Sequence, residues 1–132
     1  MLKEIGQIAI TVHDVDKAVA FYRDVLGMKF LFEAPGMGFF SCGGVRLMLA
    51  KPEKEEFDHP ASIIYYRVPD MNEACETLRA RGVTFEHERA LVHKTDTQEL
   101  WIALFRDPDQ NPLALMSEVP IEHERQTQNL GN

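Results

Sequence analysis

Two arginines and one histidine–glutamate pair are the residues of this 132-residue chain whose types and positions invite chemistry. Arg46 stands in Val45-Arg46-Leu47-Met48-Leu49 and Arg67 in Ile63-Ile64-Tyr65-Tyr66-Arg67-Val68, each among apolar, strand-forming neighbours. A guanidinium on the inner face of a sheet is costly unless it reaches water or an anion. Capture of a small-molecule carboxylate or phosphate is one reading; a salt bridge to a nearby acid or a partner chain is the other. His93 and Glu99 are the best candidates for a metal or an acid–base pair, but their separation is not the tight spacing of a ligand motif. His13 follows a strand-like run and belongs in a turn, while His59, His87 and His123 lie in polar surroundings and read as surface residues. Cys42 and Cys75 sit in hydrophobic patterns with no histidine beside either, so they read as small core residues rather than nucleophiles. The chain has no G-x-S-x-G, Walker A, dinucleotide-binding or C-x-x-C motif, and turn formation accounts for Asp107-Pro108-Asp109. No catalytic residue is assigned.

Composition narrows the partners. A formal net charge of -7 argues against nucleic acid or anionic membrane as the main partner. With 45% hydrophobic and 27% charged residues, the chain has material for an ordinary core without disulfide staples. The opening MLKEIGQIAITV carries charges where a signal peptide would be apolar, and no run reaches membrane-spanning length. A soluble, cytoplasmic protein is expected.

The elements that must hold the arginines emerge from an internal repeat. Sliding Gln7-Ile8-Ala9-Ile10-Thr11-Val12 onto Ile63-Ile64-Tyr65-Tyr66-Arg67-Val68 also superposes Asp14 on Asp70, Ala18 on Ala74 and Arg23 on Arg79. With one residue fewer in the second copy, Gly27-Met28-Lys29-Phe30 matches Gly82-Val83-Thr84-Phe85, and Leu47-Met48-Leu49 matches Leu113-Ala114-Leu115. Each copy reads as a strand, a helix and three further strands. Asp14 caps the first helix, Val15, Ala18, Val19, Tyr22 and Leu26 form its apolar stripe, and Gly27 stops it. In the second copy Asp70 and Glu73 form a capping box, Met71, Ala74, Cys75 and Leu78 the stripe, and Gly82 the stop. Later strands are predicted over 29–33, 38–42 and 45–50, then 84–88, 100–106 and 113–117. Residues 51–60 read as a charged linker, 89–99 as an extra loop and 121–132 as a polar tail. The expectation is one α+β domain over 1–120, with module one at about 5–50 and module two at about 61–118.

Alternation along the strands assigns faces. Ile8, Ile10, Val12, Leu47 and Leu49 pack under the first helix, leaving Gln7, Ala9, Thr11, Arg46, Met48 and Ala50 on the other face. Ile64, Tyr66, Val68, Leu113 and Leu115 pack under the second, leaving Ile63, Tyr65, Arg67, Pro112, Ala114 and Met116. Curved mixed sheets would use these remaining faces to line a groove.

Paired βαβββ modules carrying DVDKAVAFYRDVLGM and FRDPDQNPLALMSE resemble the glyoxalase/bleomycin-resistance/extradiol-dioxygenase superfamily, also called vicinal oxygen chelate proteins. The resemblance runs from about Ile5 to about Glu118 and rests on D-x-x-x-A-x-x-FY-x-x-x-LG and the late DPD turn. It implies a homodimer and a small-molecule ligand, with four metal-ligand positions falling on Gln7, Met48, Ile63 and Ala114. Only Gln7 offers an oxygen there; Met48 is a soft thioether, and Ile63 and Ala114 have no lone pair. The resemblance therefore implies a bleomycin-resistance-like binder with no metal or other cofactor. Its ligand-binding residues would be Gln7, Thr11, Arg46, Met48, Ile63, Tyr65, Arg67 and Ala114. The alternatives are a lyase, isomerase or dioxygenase holding a divalent metal through Gln7, His93 and Glu99, and a non-catalytic dimer whose groove is filled by its own side chains.

Overall fold

A computed structural model describes residues 1–121; the side chains of 87–89 and 92–93 and all of 122–132, most of the expected tail, lie outside the description. The chain forms two compact units. The first comprises Met1–Ser62 and, from far along the sequence, Arg106–Pro112; the second comprises the remainder.

In the first unit β1 (Gln7–Thr11), β2 (Lys29–Ala34), β3 (Met37–Cys42) and β4 (Val45–Ala50) form a mixed sheet of order β1-β4-β3-β2. β1 runs parallel to β4, and the other neighbours are antiparallel. The Asp14 carboxylate accepts from the Lys17 N–H at 3.0 Å and opens α1 (Val15–Ala20). The expected single helix then widens into a π turn over Phe21–Val25, closed by the Leu26 N–H to the Phe21 carbonyl and followed by Gly27 at φ 70°. Apolar spacing does not distinguish the two windings, because Tyr22 and Leu26 stay four residues apart in either. Val19 packs so closely on β3 that a Cβ at Gly38 would lie 2.5 Å from its Cγ2, which is why glycine stands there. Ile10, Val12, Ala18, Tyr22, Phe40, Leu47 and Leu49 make the core beneath α1.

Arg106–Pro112 contributes a polar knot to this unit. Buried Asp107 accepts at Oδ1 from the backbone N–H groups of Asp109 and Asn111, both at 2.9 Å. Its Oδ2 accepts from the Tyr22 hydroxyl at 2.8 Å and the Asn111 amide at 3.0 Å. The Asn111 amide nitrogen also donates to the Thr11 carbonyl at 2.9 Å, and its oxygen accepts from the Ala61 N–H at 3.2 Å. Asp107 is thus a structural acceptor, in keeping with the turn reading of its sequence.

The second unit repeats the order as β5-β8-β7-β6, from β5 (Ile64–Arg67), α2 (Met71–Ala80), β6 (Phe85–Lys94), β7 (Gln98–Arg106) and β8 (Pro112–Pro120). Asp70 accepts from the Glu73 N–H at 3.1 Å, and Gly82 at φ 94° ends the helix. Residues 89–99, expected as a loop, are instead mostly the far end of a β6–β7 hairpin. Leu91 pairs with Trp101 and Lys94 with Glu99, while the Thr95 hydroxyl accepts from the N–H groups of Thr97 and Gln98 in the turn. Ile121 is buried, its N–H donating to the Thr97 carbonyl at 3.1 Å. The fold is mixed α+β with two sheets of matching order, as the repeat predicts. Among the described residues no helix is long and apolar enough to cross a membrane.

Candidate functional site

The strand registers set out the face of the first sheet turned away from α1 in three rows. Gln7, Arg46 and Ser41 form the first; Ala9, Met48, Phe39 and Phe32 the second; Thr11, Ala50 and Met37 the third. In the first row the Arg46 Nε donates to the Gln7 Oε1 at 2.6 Å, and the Gln7 amide in turn points to the Met48 sulfur at 3.7 Å. The Arg46 guanidinium lies 5.3 Å from the centre of the Phe39 ring, and Phe32 stacks on Phe39 at 4.4 Å. Among the described residues no carboxylate pairs with Arg46, which is solvent-exposed. A charged donor fork thus ends an aromatic and thioether surface, an arrangement suited to an amphipathic anion.

The linker is a strap beside the third row. Its single helical turn, Glu55–Phe57, is fastened where the Thr11 hydroxyl donates to the Phe57 carbonyl at 3.2 Å. Beneath it a cavity of about 590 Å³ is floored by Ala9, Met37, Met48 and Ala50 and walled by Phe57 and His59. Phe39, Phe32, Met37 and Phe57 are absent from the residues singled out by sequence, and His59, read there as a surface residue, lines the cavity. Alternation on β3 against Met48 is the signal that would have found Phe39 and Met37. Phe57 is marked only by being the large apolar residue of a charged stretch.

The other expected site residues fare differently. Ile63 and Tyr65 are exposed on the second unit. Arg67 donates to Glu118 Oε1 at 2.9 Å, an ion pair between two solvent-exposed side chains. Ala114 is fully buried and presents no accessible surface, contrary to its place on an open face; its methyl group is small enough to be covered on either side of the sheet. Glu99 lies 4.0 Å from the Lys94 ammonium. The His93 side chain is outside the described residues. Burial pushes the Cys42 thiol up, away from nucleophilic use. His13, by contrast, is held above the usual histidine range, chiefly by its hydrogen bond to Asp58 and the charges of Asp58 and Asp109.

The four positions at which related proteins would hold a divalent ion do not suit one. The Gln7 oxygen is occupied by a guanidinium, whose positive charge repels a second cation. Met48 is a poor donor for hard ions, and Ile63 and Ala114 donate nothing. Among the described residues no cluster of three His, Cys, Asp or Glu side chains could substitute.

The fold is mixed α+β with two sheets of matching order, and the sequence places it: residues 4–115 match the Glyoxalase/Bleomycin resistance protein/Dioxygenase superfamily, to which the chain belongs. It is 38% identical over 66 residues to the metallothiol transferase FosB of Staphylococcus haemolyticus, a match covering 50% of this chain and 45% of that protein. The chain therefore spans about half the length of the curated relatives it matches first. A superfamily member from Sphaerobacter thermophilus superposes with a TM-score of 0.72 at 27% identity, covering 87% of this chain and 97% of the other. TnmS3, an antibiotic binding protein from Streptomyces sp. CB03234, shares the fold with a TM-score of 0.71 at 22% identity, over 89% of this chain and 97% of its own.

Proposed function

We propose that the protein binds an amphipathic small molecule with an anionic end on the first sheet, without a metal. One observation carries the reading: Arg46, lacking an acidic partner among the described residues, stands at the head of the Met48–Phe39–Phe32 surface. Arg46 and Gln7 would fix the polar end, with Met48 and Phe39 against the apolar part and Thr11 bounding it. That a protein of the same fold is named for antibiotic binding supports the compatibility of this scaffold with such a role.

The test is titration with the anionic fluorophore 8-anilinonaphthalene-1-sulfonate beside its uncharged analogue N-phenyl-1-naphthylamine. Arg46→Ala is expected to weaken the sulfonate about tenfold, or ~1.4 kcal/mol, while leaving the neutral probe unchanged. Equal sulfonate affinity in both proteins would remove the anion argument. The identity with a metallothiol transferase favours a second reading, a metal-dependent transferase. A stoichiometric divalent metal in untagged protein, measured by elemental analysis, would select it; a cytoplasmic homodimer is proposed in either case.

A further inference from the structure

We infer that the 51–60 strap is a gate over the cavity on the first sheet, and that His13, bridging Asp58 of the strap and Asp109 of the 106–112 turn, is its pH-sensitive latch. The inference rests on the small-molecule reading above and adds a control to the same site.

The strap is thinly held. Residues 53–60 are all exposed, and Phe57 is half exposed although it walls the cavity. A segment with so little buried apolar surface opens at small free-energy cost. Among the described residues its fastenings are the Lys51 N–H on the Gly36 carbonyl, the Thr11 hydroxyl on the Phe57 carbonyl, the Ala61 N–H on the Asn111 side chain just past its end, and His13 on Asp58. Of these, only the last involves a group whose charge changes near neutral pH. His13 Nε2 lies 2.8 Å from Asp58 Oδ1, and Nδ1 lies 3.4 Å from Asp109 Oδ1, which also accepts the His13 backbone N–H at 2.8 Å.

An imidazolium has two ring N–H groups and can serve both carboxylates at once. The neutral ring has one. On deprotonation, one carboxylate faces a lone pair, and the charge that held two anions together is gone. Asp14, Asp16 and Lys51 line the same hollow as His13, and His59 follows Asp58. The Asp14 carboxylate is already engaged with the Lys17 N–H, which leaves Asp58 and Asp109 as the acids that hold the ring. Because the His13 pKa is raised in the folded protein, the latch is fully closed below about 6.5, the ordinary histidine value, and is lost as pH rises through the raised value. The pair is exposed, so the effect is modest and weakens in salt.

Two readouts test the gate in the whole chain. Hydrogen exchange across 51–60, corrected for intrinsic rates, reads strap opening without a ligand. Stopped-flow association of 8-anilinonaphthalene-1-sulfonate reads access. In the wild-type protein, protection of the strap should fall roughly two- to fivefold through the His13 titration, and association should quicken in parallel. His13→Gln and Asp58→Asn should show low protection and fast association at every pH. Wild-type protection that ignores pH, or variants that behave as wild type, would overturn the latch. A titrating strap with pH-independent association would overturn the gate while leaving the binding site standing. Failure of the probe to bind any of the three proteins would sink the binding reading and the gate with it.

Discussion

Asp107 and Arg46 show the two fates of a charged side chain in this molecule. Asp107 is 2% exposed yet accepts four hydrogen bonds, so its charge is fully answered from within the first unit. Asp107→Ala would remove the acceptor shared by the Tyr22 hydroxyl, the Asn111 amide and the N–H groups of Asp109 and Asn111, and should cost about 3 kcal/mol, measured by urea denaturation. Gln110, three residues further on, has φ 68°, a conformation that suits glycine better. Gln110→Gly should therefore raise the midpoint of thermal unfolding by a few degrees, equivalent to about 0.5–1 kcal/mol. Local composition made the turn legible, but the reach of Asp107 to Tyr22, 85 residues away, could not be read from spacing. Arg46 was legible as a charge among strand residues; that Gln7 holds its Nε and Phe39 lies beside it depends on cross-strand register, which the sequence does not print. Arg67 looked equivalent to Arg46, but it pairs with the side chain of Glu118.

Elements were easier to read where local chemistry terminates them. Asp14, Gly27, Asp70 and Gly82 mark helix ends by capping and positive φ, and both appear where expected. The π turn escaped because it preserves the apolar spacing, and the hairpin end at 89–99 escaped because the continuous polar run from Lys94 to Glu99 resembles a loop. Packing between elements yields its own test. Gly38→Ala should push α1 off β3 and cost about 1–3 kcal/mol in chemical denaturation, and pairing it with Val19→Ala should recover much of the loss. The strap shows the same limit of sequence reading: a charged stretch was legible as a connection, but not as a cavity wall, because Thr11 and His13 lie more than forty residues away from their partners Phe57 and Asp58.

At the scale of the whole chain, the repeat legible in the sequence reappears as two four-stranded sheets of matching order, although the order itself depends on strand pairing that the repeat does not specify. The unsuitable donor set at residues 7, 48, 63 and 114 likewise predicts that chelator treatment leaves both the unfolding temperature and sulfonate-probe affinity unchanged; a drop in either would restore the metal-dependent reading. The covalent chain, however, does not respect the repeat. Residues 106–112 lie between two strands of the second sheet in sequence, yet they complete the first unit. A nascent chain emerging from the ribosome therefore carries an unfinished first unit until synthesis has passed Pro112. A severed fragment ending at Ser62 should remain incompletely folded until it is given the missing heptapeptide in trans.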